Sequence, residues 1–368
     1  MDTIIYEIDK NHIDMDKIRE AGDIISRGGL VAFPTETVYG LGADAMDGAA
    51  SAKIYAAKGR PSDNPLIVHI ADLDALAQIA VDVPAAAYTL ADRFWPGPLT
   101  MILNKSSRVP LGTTGGLDTV AVRMPSDPIA LALIKASGTY IAAPSANTSG
   151  RPSPTLASHV IEDMCGKIEM ILDGGKVGIG LESTIVDLTG DVPMILRPGY
   201  ITRDMLAEVL GEVTVDAAIL EENADKNFRP KAPGMKYKHY APKGDLTIVE
   251  GQPDHVVETI NQLAQQCAAQ GHKVAVIATQ ENMSRYACGQ IFCIGTRAHE
   301  ETIANNLFDI LRKMDELDVD VIYSESFYNG GLGQAIMNRL LKAAGHHVID
   351  ADQGISKDNL YPFGHERS

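Results

Sequence analysis

Two cations stand one residue apart in the segment KGRPSDNPL, residues 58–66. Lys58 supplies a compact ammonium group, and Arg60 supplies a planar guanidinium whose geometry fits phosphate oxygens. The prolines and small polar residues that follow favour neither a helix nor a strand, so the segment is typical of a rigid loop. Such a loop could bind a phosphate, although an ordinary polar turn explains the same residues equally well.

A second loop of similar composition is PSANTSGRPSPT, residues 144–155. Ser145 and Asn147 stand two positions apart at a strand end, so both side chains would face the same way and could bond a phosphate or a sugar. Read together, the two loops indicate an anion site built from backbone N–H groups, hydroxyls and two cations. Taken alone, this loop too is compatible with a simple turn.

Other polar residues stand at the ends of predicted strands. They are Thr35 and Thr37, His69, Thr119 and Arg123, Ser183 and Thr184, and Arg197. A lone histidine in an apolar strand is more often a hydrogen-bonded core residue than a ligand. An arginine within AVRMP, residues 121–125, requires an anionic partner, which could be a ligand carboxylate or a structural Asp or Glu.

The composition limits which partners this chain can have. Its 48 acidic and 32 basic residues give a net charge of −16, which does not suit a protein that coats nucleic acid. Aromatic residues are only 5%, too few for a surface on which unpaired bases stack. The sequence has no Walker GxxxxGK[ST] motif, no GxGxxG after a strand, and no zinc-like spacing among its four cysteines. Any anion site must therefore be local.

The elements that position these residues fall into two parts. Residues 1–215 alternate short apolar runs with amphipathic stretches and contain many strands with few helices between them, which predicts an α/β domain with a large mixed sheet. From Leu246 strand and helix alternate regularly, as in a small parallel α/β domain. The stretch 216–243, rich in Pro, Gly, Lys and Tyr, has no periodicity and is predicted to be a linker.

The amino terminus has no basic region leading into a long apolar one, and no downstream run is apolar enough to span a membrane. The cysteines have the pattern of buried thiols in a reducing compartment. We therefore expect a cytoplasmic protein with no membrane partner.

The ordered set of motifs PTETVYGLG, KGRPSDNPLIVHI, RFWPGPLT, AVRMP, APSANTSGRPSPT, ESTIVD, LRPG and PGMKYKHYAP closely resembles the threonylcarbamoyl-AMP synthase family in its two-domain form. The resemblance is dense from about residue 10 to 243 and looser beyond. It implies a YrdC-like catalytic domain over 1–215, with a large mixed twisted sheet and a concave cleft. It also implies a linker over 216–243 that folds over the active site as a lid, and a small Rossmann-like parallel α/β domain over 244–368.

By this resemblance the chain is an enzyme, a nucleotidyltransferase that joins L-threonine, bicarbonate or CO2, and ATP into L-threonylcarbamoyladenylate and releases pyrophosphate. The product would pass to the tRNA threonylcarbamoyl transferase machinery for the threonylcarbamoyladenosine modification. Mg²⁺ would be carried by ATP, and we expect no tightly bound protein metal because the motifs provide no carboxylate cage. Direct tRNA binding is expected to be weak, and the sequence leaves open whether it occurs.

The resemblance also assigns residues. Those expected to bind ATP are Lys58, Arg60, Ser62, Thr119, Ser145, Asn147, Ser153, Arg197, Tyr237 and Tyr240. Those expected to bind L-threonine are Thr35, His69, Arg123, Ala143 and Ser183. Lys58 and Arg60 would also be catalytic, because they would offset negative charge as pyrophosphate leaves. No general base is evident, and His69 is as well suited to orienting threonine as to moving a proton.

Two other functions compete with this interpretation. A groove on the same fold could dock RNA, but the acidic charge and scarce aromatics weigh against it. A carbamoyl or acyl transferase that uses carbamoyl phosphate would belong to relatives with added zinc-finger modules. This chain lacks cysteines with zinc spacing.

Overall fold

The computed structural model describes residues 1–219, 240–328 and 330–353, and the chain divides into two compact units, Met1–Tyr237 and Lys238–Ser368. The predicted linker over 216–243 lies mostly outside the described residues, as does Tyr237.

The first unit is built on one sheet of eleven strands in its described residues. Strands β1 to β11 are Ile4–Glu7, Val31–Phe33, Gly40–Asp44, Ile67–His69, Leu99–Asn104, Thr119–Arg123, Ile141–Ala143, Met170–Asp173, Thr184–Asp187, Met194–Arg197 and Thr214–Val215. Helices α1 to α7 are Met15–Ser26, Gly48–Lys58, Leu76–Ile79, Ala85–Phe94, Pro128–Ser137, Ala157–Met164 and Arg203–Leu210. The strand order is β1-β8-β2-β3-β7-β4-β6-β5-β9-β10-β11.

This sheet contains both parallel and antiparallel pairs, which confirms the mixed sheet predicted from the sequence. At its centre β4 is antiparallel to β7 and parallel to β6, while β5 is antiparallel to β6 and parallel to β9. The central strands are buried along nearly their whole length because helices and loops cover both faces. Their ends therefore open into loops whose positions are fixed by a rigid core.

The helices of the first unit begin and end at residues suited to those positions. Asp14 and Asp127 cap α1 and α5 by accepting backbone N–H groups, and Pro128 occupies the first turn of α5. One face of α1 buries Ile18 and Ile25. Burial of each such side chain contributes about 1.5–3 kcal/mol of transfer free energy.

The second unit is a smaller sheet of five strands, all parallel, in its described residues. Strands β12 to β16 are Asp245–Glu250, Val274–Thr279, Gln290–Gly295, Val321–Glu325 and Val348–Asp350, and helices α8 to α10 are Pro253–Ala269, Glu300–Glu316 and Gly331–Ala344. The order β14-β13-β15-β12-β16 confirms a parallel α/β domain. The last strand, β16, has only three residues, too few to show a periodic pattern.

No helix within the described residues is long and apolar enough to cross a membrane.

Close packing of α1 on α5 depends on Gly22. A Cβ at this position would lie 2.7 Å from the carbonyl carbon of Ala136 and 2.9 Å from the backbone nitrogen of Ser137. Because backbone atoms cannot move aside as a flexible side chain can, we expect Gly22→Ala to reduce the free energy of unfolding by about 1–3 kcal/mol. Urea unfolding measures this change.

The matched control is Gly190→Ala. Gly190 lies in a surface turn, and the nearest atom to its added Cβ would be 3.9 Å away. We expect little change in stability there, and equal effects of the two substitutions would contradict the close approach of α1 and α5.

Candidate active site

The site is centred on a row of residues that crosses three central strands. Arg123, at the end of β6, is paired in register with His69 on β4 and with Thr100 on β5. Residues paired in register point to the same face of a sheet, so these three side chains lie side by side. Arg123 and His69 are 3% and 4% exposed, and Thr100 is fully buried.

The guanidinium of Arg123 is met by the loop between β2 and β3. Its Nη1 donates to the Oγ1 of Thr37 over 2.9 Å, and its Nη2 lies 2.8 Å from the Oε1 of Glu36. Thr35 completes this loop: its Oγ1 is 2.8 Å from that of Thr37 and donates to the carbonyl of Val38 over 2.6 Å. The predicted anionic partner of Arg123 is therefore present within the protein, as a glutamate.

His69 is neutral in this setting. Burial, together with the smaller effect of the nearby Arg123 charge, lowers the pKa of its imidazole from 6.5 to about 3. The Nδ1 atom is 3.0 Å from the carbonyl oxygen of Ile67, which can only accept, so Nδ1 carries the proton. An uncharged imidazole next to a guanidinium is suited to orienting a ligand.

Lys58 joins the two loops that the sequence analysis paired. It is the last residue of α2, and Gly59 ends the helix in the left-handed conformation with φ 62°. The buried ammonium donates to the carbonyl groups of Ser145 and Asn147, both over 2.5 Å. These dipoles stabilise the ammonium without cancelling its charge.

The loop after β7 is further ordered by its own side chains and by the β2–β3 loop. The hydroxyl of Ser145 donates to the Oδ1 of Asn147, and the amide of Ala146 donates to the carbonyl of Tyr39 over 2.8 Å. Ala143, just before this loop, is buried within β7 and pairs with Ile67 of β4. The sheet thus positions this loop beside the one that holds Arg123.

A third group of contacts links the strand ends of β9 and β10. Arg197 donates from Nε to the carbonyl of Ser183 and from Nη2 to its Oγ, both over 3.0 Å. The same Oγ lies 2.7 Å from the Oγ1 of Thr100, which connects this group to the Arg123 row. Ser153, fully buried, donates to the carboxylate of Glu182 over 2.5 Å.

Four further predicted residues have surroundings of their own. Arg60 donates to the carbonyls of Asn64 and Pro65 within its own loop, and Ser62 is exposed beside a cavity of about 420 Å³. Thr119 begins β6, on the face of Arg123 but about 13 Å away along the strand. Tyr240 is buried in the second unit against Phe308, with ring centroids 5.0 Å apart.

Comparison with known proteins identifies the family. A family model described as "Telomere recombination" matches residues 23–199, and one described as "Threonylcarbamoyl-AMP synthase, C-terminal domain" matches residues 201–345. The threonylcarbamoyl-AMP synthase of Pyrococcus abyssi is 50% identical over 94% of this chain and 99% of its own length. The chain belongs to the threonylcarbamoyl-AMP synthase family.

Other members support the assignment. The Bacillus subtilis synthase is 50% identical over 90% of this chain and 94% of its own length. The crystal structure of Pyrococcus abyssi Sua5 complexed with L-threonine has a TM-score of 0.89 at 50% identity, and covers 95% of this chain and 99% of the solved one. The family predicted from the motifs is thus confirmed, as is the two-part α/β fold.

The sequence motifs did not lead us to predict two carboxylates that lie in this site. Glu36 stands next to a predicted residue in PTETV, and Glu182 stands next to another in LESTIVD. One feature of the sequence could have indicated Glu36. A buried arginine needs an anionic partner, and a carboxylate between two threonines in an otherwise apolar loop is a candidate for that partner. Nothing in the sequence pairs Glu36 with Arg123, because they are far apart in the chain and only the sheet brings them together.

No group of three or more metal-ligating side chains occurs in the residues that the structure describes. The carboxylates of Glu36 and Glu182 are engaged by Arg123 and Ser153.

The buried neutral His69 predicts a pH dependence of stability. Its folded-state pKa is about 3 against about 6.5 unfolded, so only the unfolded chain gains a proton between these values. Stability is therefore lost as the pH falls below 6.5, by about 2 kcal/mol at pH 5 from this residue. We expect His69→Gln to flatten the pH profile of urea unfolding by about that amount. Parallel profiles for the two proteins would contradict a neutral buried His69.

Proposed function

We propose that this chain synthesises L-threonylcarbamoyladenylate from L-threonine, bicarbonate or CO2, and ATP, with release of pyrophosphate, for the threonylcarbamoyladenosine modification of tRNA. The observation that carries this proposal is the match to threonylcarbamoyl-AMP synthases at 50% identity over both units. The contacts of the first unit support it, since they gather a carboxylate-binding arginine and a loop with a buried lysine at neighbouring strand ends.

In this proposal threonine binds at the Arg123 row. The guanidinium receives its carboxylate in bidentate geometry, while the neutral His69 and the hydroxyls of Thr35 and Ser183 orient its polar groups. The backbone at Ala143 contributes at the edge of the same pocket. A bound threonine structure is known for the Pyrococcus abyssi relative.

The nucleotide binds along the loops that Lys58 joins. The residues assigned to it are Lys58, Arg60, Ser62, Thr119, Ser145, Asn147, Ser153 and Arg197. The motif resemblance also assigned Tyr237, which lies outside the described residues, and Tyr240, whose ring packs against Phe308 in the second unit. Mg²⁺ enters as part of the ATP substrate, bound by the phosphates.

Two bonds form in the reaction. The ammonium group of threonine first loses a proton to water. The neutral amine nitrogen then attacks the carbon of CO2, one C–O electron pair moves onto oxygen, and a second proton passes from nitrogen to water, which gives a carbamate. A carbamate oxygen then attacks the α-phosphorus of ATP, the bond from that phosphorus to the bridging oxygen breaks, and pyrophosphate leaves with the electron pair. Little covalent chemistry falls to the protein, which holds the reactants in line and offsets charge with Lys58 and Arg60.

The direct test is pyrophosphate release by the purified full-length chain with ATP and Mg²⁺. We expect release only when both threonine and bicarbonate are present. Release that is independent of either substrate would disprove the proposal.

Two substitutions test the threonine-binding part and the nucleotide-binding part of the site separately. Arg123→Ala removes the carboxylate partner, so we expect KM for threonine to rise by about 100-fold, with a smaller effect on KM for ATP. Lys58→Ala removes the cation beside the phosphates, and we expect kcat to fall by about 100-fold. Initial rates over a matrix of threonine and ATP concentrations measure both effects.

Lys53→Ala is the matched control, because Lys53 lies on the same helix and donates instead to the carbonyl of Gly28. We expect it to keep normal kinetics. Melting temperatures of all three variants check that the fold is intact. Unchanged kinetics in both site variants would show that the assigned positions are wrong even though the family is right.

A further inference from the structure

The ion pair between Glu36 and Arg123 lies at the place where the proposed function puts the substrate's carboxylate. We propose that the Glu36 carboxylate exchanges partners when threonine binds. It separates from Arg123 and pairs with the ammonium group of the incoming amino acid. Glu36 would thereby select threonine over the hydroxy acid that has the same carbon skeleton but lacks the amine. This inference rests on the proposed function, since it assumes that Arg123 receives the carboxylate of threonine.

Arg123 needs an anion even when no substrate is bound. Its side chain is only 4% exposed, and a buried charge without a partner costs several kcal/mol. Glu36 provides the anion at 2.8 Å, and Thr37 accepts a hydrogen bond from the other terminal nitrogen. Glu36 therefore acts as a resident substitute for a ligand carboxylate.

A substrate carboxylate must compete with Glu36 for one particular nitrogen. A carboxylate binds a guanidinium in bidentate fashion across Nη1 and Nη2 or across Nε and Nη2, and both arrangements use Nη2. In this structure Nη2 faces Glu36, while Nε is 3.4 Å from the carbonyl oxygen of Gly97. Nη2 carries two N–H groups, and Glu36 is aligned with neither, so a bidentate ligand can use one of them. It then places a second negative charge next to the Glu36 carboxylate on the same nitrogen, which favours departure of Glu36.

Glu36 is held loosely enough to leave. Both of its carboxylate oxygens are buried, and neither accepts a well-aligned hydrogen bond from the residues that the structure describes. The Nη2 of Arg123 likewise makes no well-aligned hydrogen bond among them. The pair is therefore mainly electrostatic, and a ligand that aligns with Nη2 gains what Glu36 does not provide.

Only the side chain of Glu36 has to move. Its carbonyl oxygen accepts the amide of Ile179 over 2.8 Å, which fixes the loop, while its side chain is 14% exposed and so borders open space. An α-amino acid carries its ammonium on the carbon next to its carboxylate. A carboxylate displaced from Arg123 therefore needs only a rotamer change to meet that ammonium.

The selectivity follows from the charge left behind. A displaced Glu36 is stabilised by an amino acid, whose ammonium pairs with it, but not by a hydroxy acid, which leaves the buried carboxylate without a cation. The exchange concerns recognition of the incoming zwitterion, before its ammonium group loses protons and the carbamate forms.

The test compares L-threonine with (3R)-3-hydroxybutyrate, which is threonine without its amine. Isothermal titration calorimetry of the full-length protein gives Kd for each ligand, in the wild type and in Glu36→Gln. We expect the wild type to prefer threonine. In Glu36→Gln the hydroxy acid should bind more tightly than to the wild type, and the ratio of the two Kd values should fall by about tenfold or more, equivalent to about 1.4 kcal/mol.

Asp254→Asn is the matched control, since Asp254 forms an exposed ion pair with Arg285 in the second unit. It should leave both Kd values unchanged. Glu36→Asp, which keeps the charge on a shorter side chain, should retain a preference for threonine. Melting temperatures confirm that each variant is folded.

The other outcomes overturn the exchange. If Glu36 is a permanent clamp that holds Arg123 in place, Glu36→Gln weakens both ligands equally and the ratio stays constant. If Glu36 has no part in recognition, neither Kd changes. A wild type that binds no threonine would instead refute the proposed threonine site itself, so the two failures are distinguishable.

Discussion

The site depends on the burial of three cations. Lys58, Arg123 and Arg197 are 2%, 3% and 6% exposed, although the chain as a whole carries a charge of −16. A buried cation requires oxygen atoms around it, and here they come from loops that are distant in sequence. Carbonyl groups surround Lys58, a glutamate and a threonine meet Arg123, and a serine binds Arg197. The need to surround each cation with oxygen atoms holds the loops close together. The rigid sheet fixes the positions from which these loops begin.

The acidic composition and the cationic site are therefore compatible. A small anionic substrate needs charge at one place only, and dipoles from the backbone supply much of the remaining stabilisation. An acidic exterior around such a site would also disfavour large polyanions, which is the reason that the composition argued against a protein that coats nucleic acid.

Much of this arrangement could be predicted from the sequence, because it is encoded locally. Alternating apolar runs indicated the strands, and the prolines and small polar residues of KGRPSDNPL indicated a rigid loop. What could not be predicted depends on contacts across the sheet. Three such features join segments that are far apart in the chain. They are the order of the eleven strands, the hydrogen bonds from Lys58 to the loop after β7, and the pairing of Arg123 with Glu36. No periodicity records such contacts.

Under the proposed function, strand β6 fixes the spacing between two residues that bind different substrates. Thr119 begins it and Arg123 ends it, on the same face, and an extended backbone can neither stretch nor shorten between them. Under that proposal, the spacing between the residue assigned to the nucleotide and the residue assigned to the amino acid is set by the covalent geometry of the strand. Side-chain changes at either end can alter affinity, but they leave the distance between the two backbone positions unchanged. A reaction that needs in-line attack on one phosphorus atom benefits from a spacing of that kind.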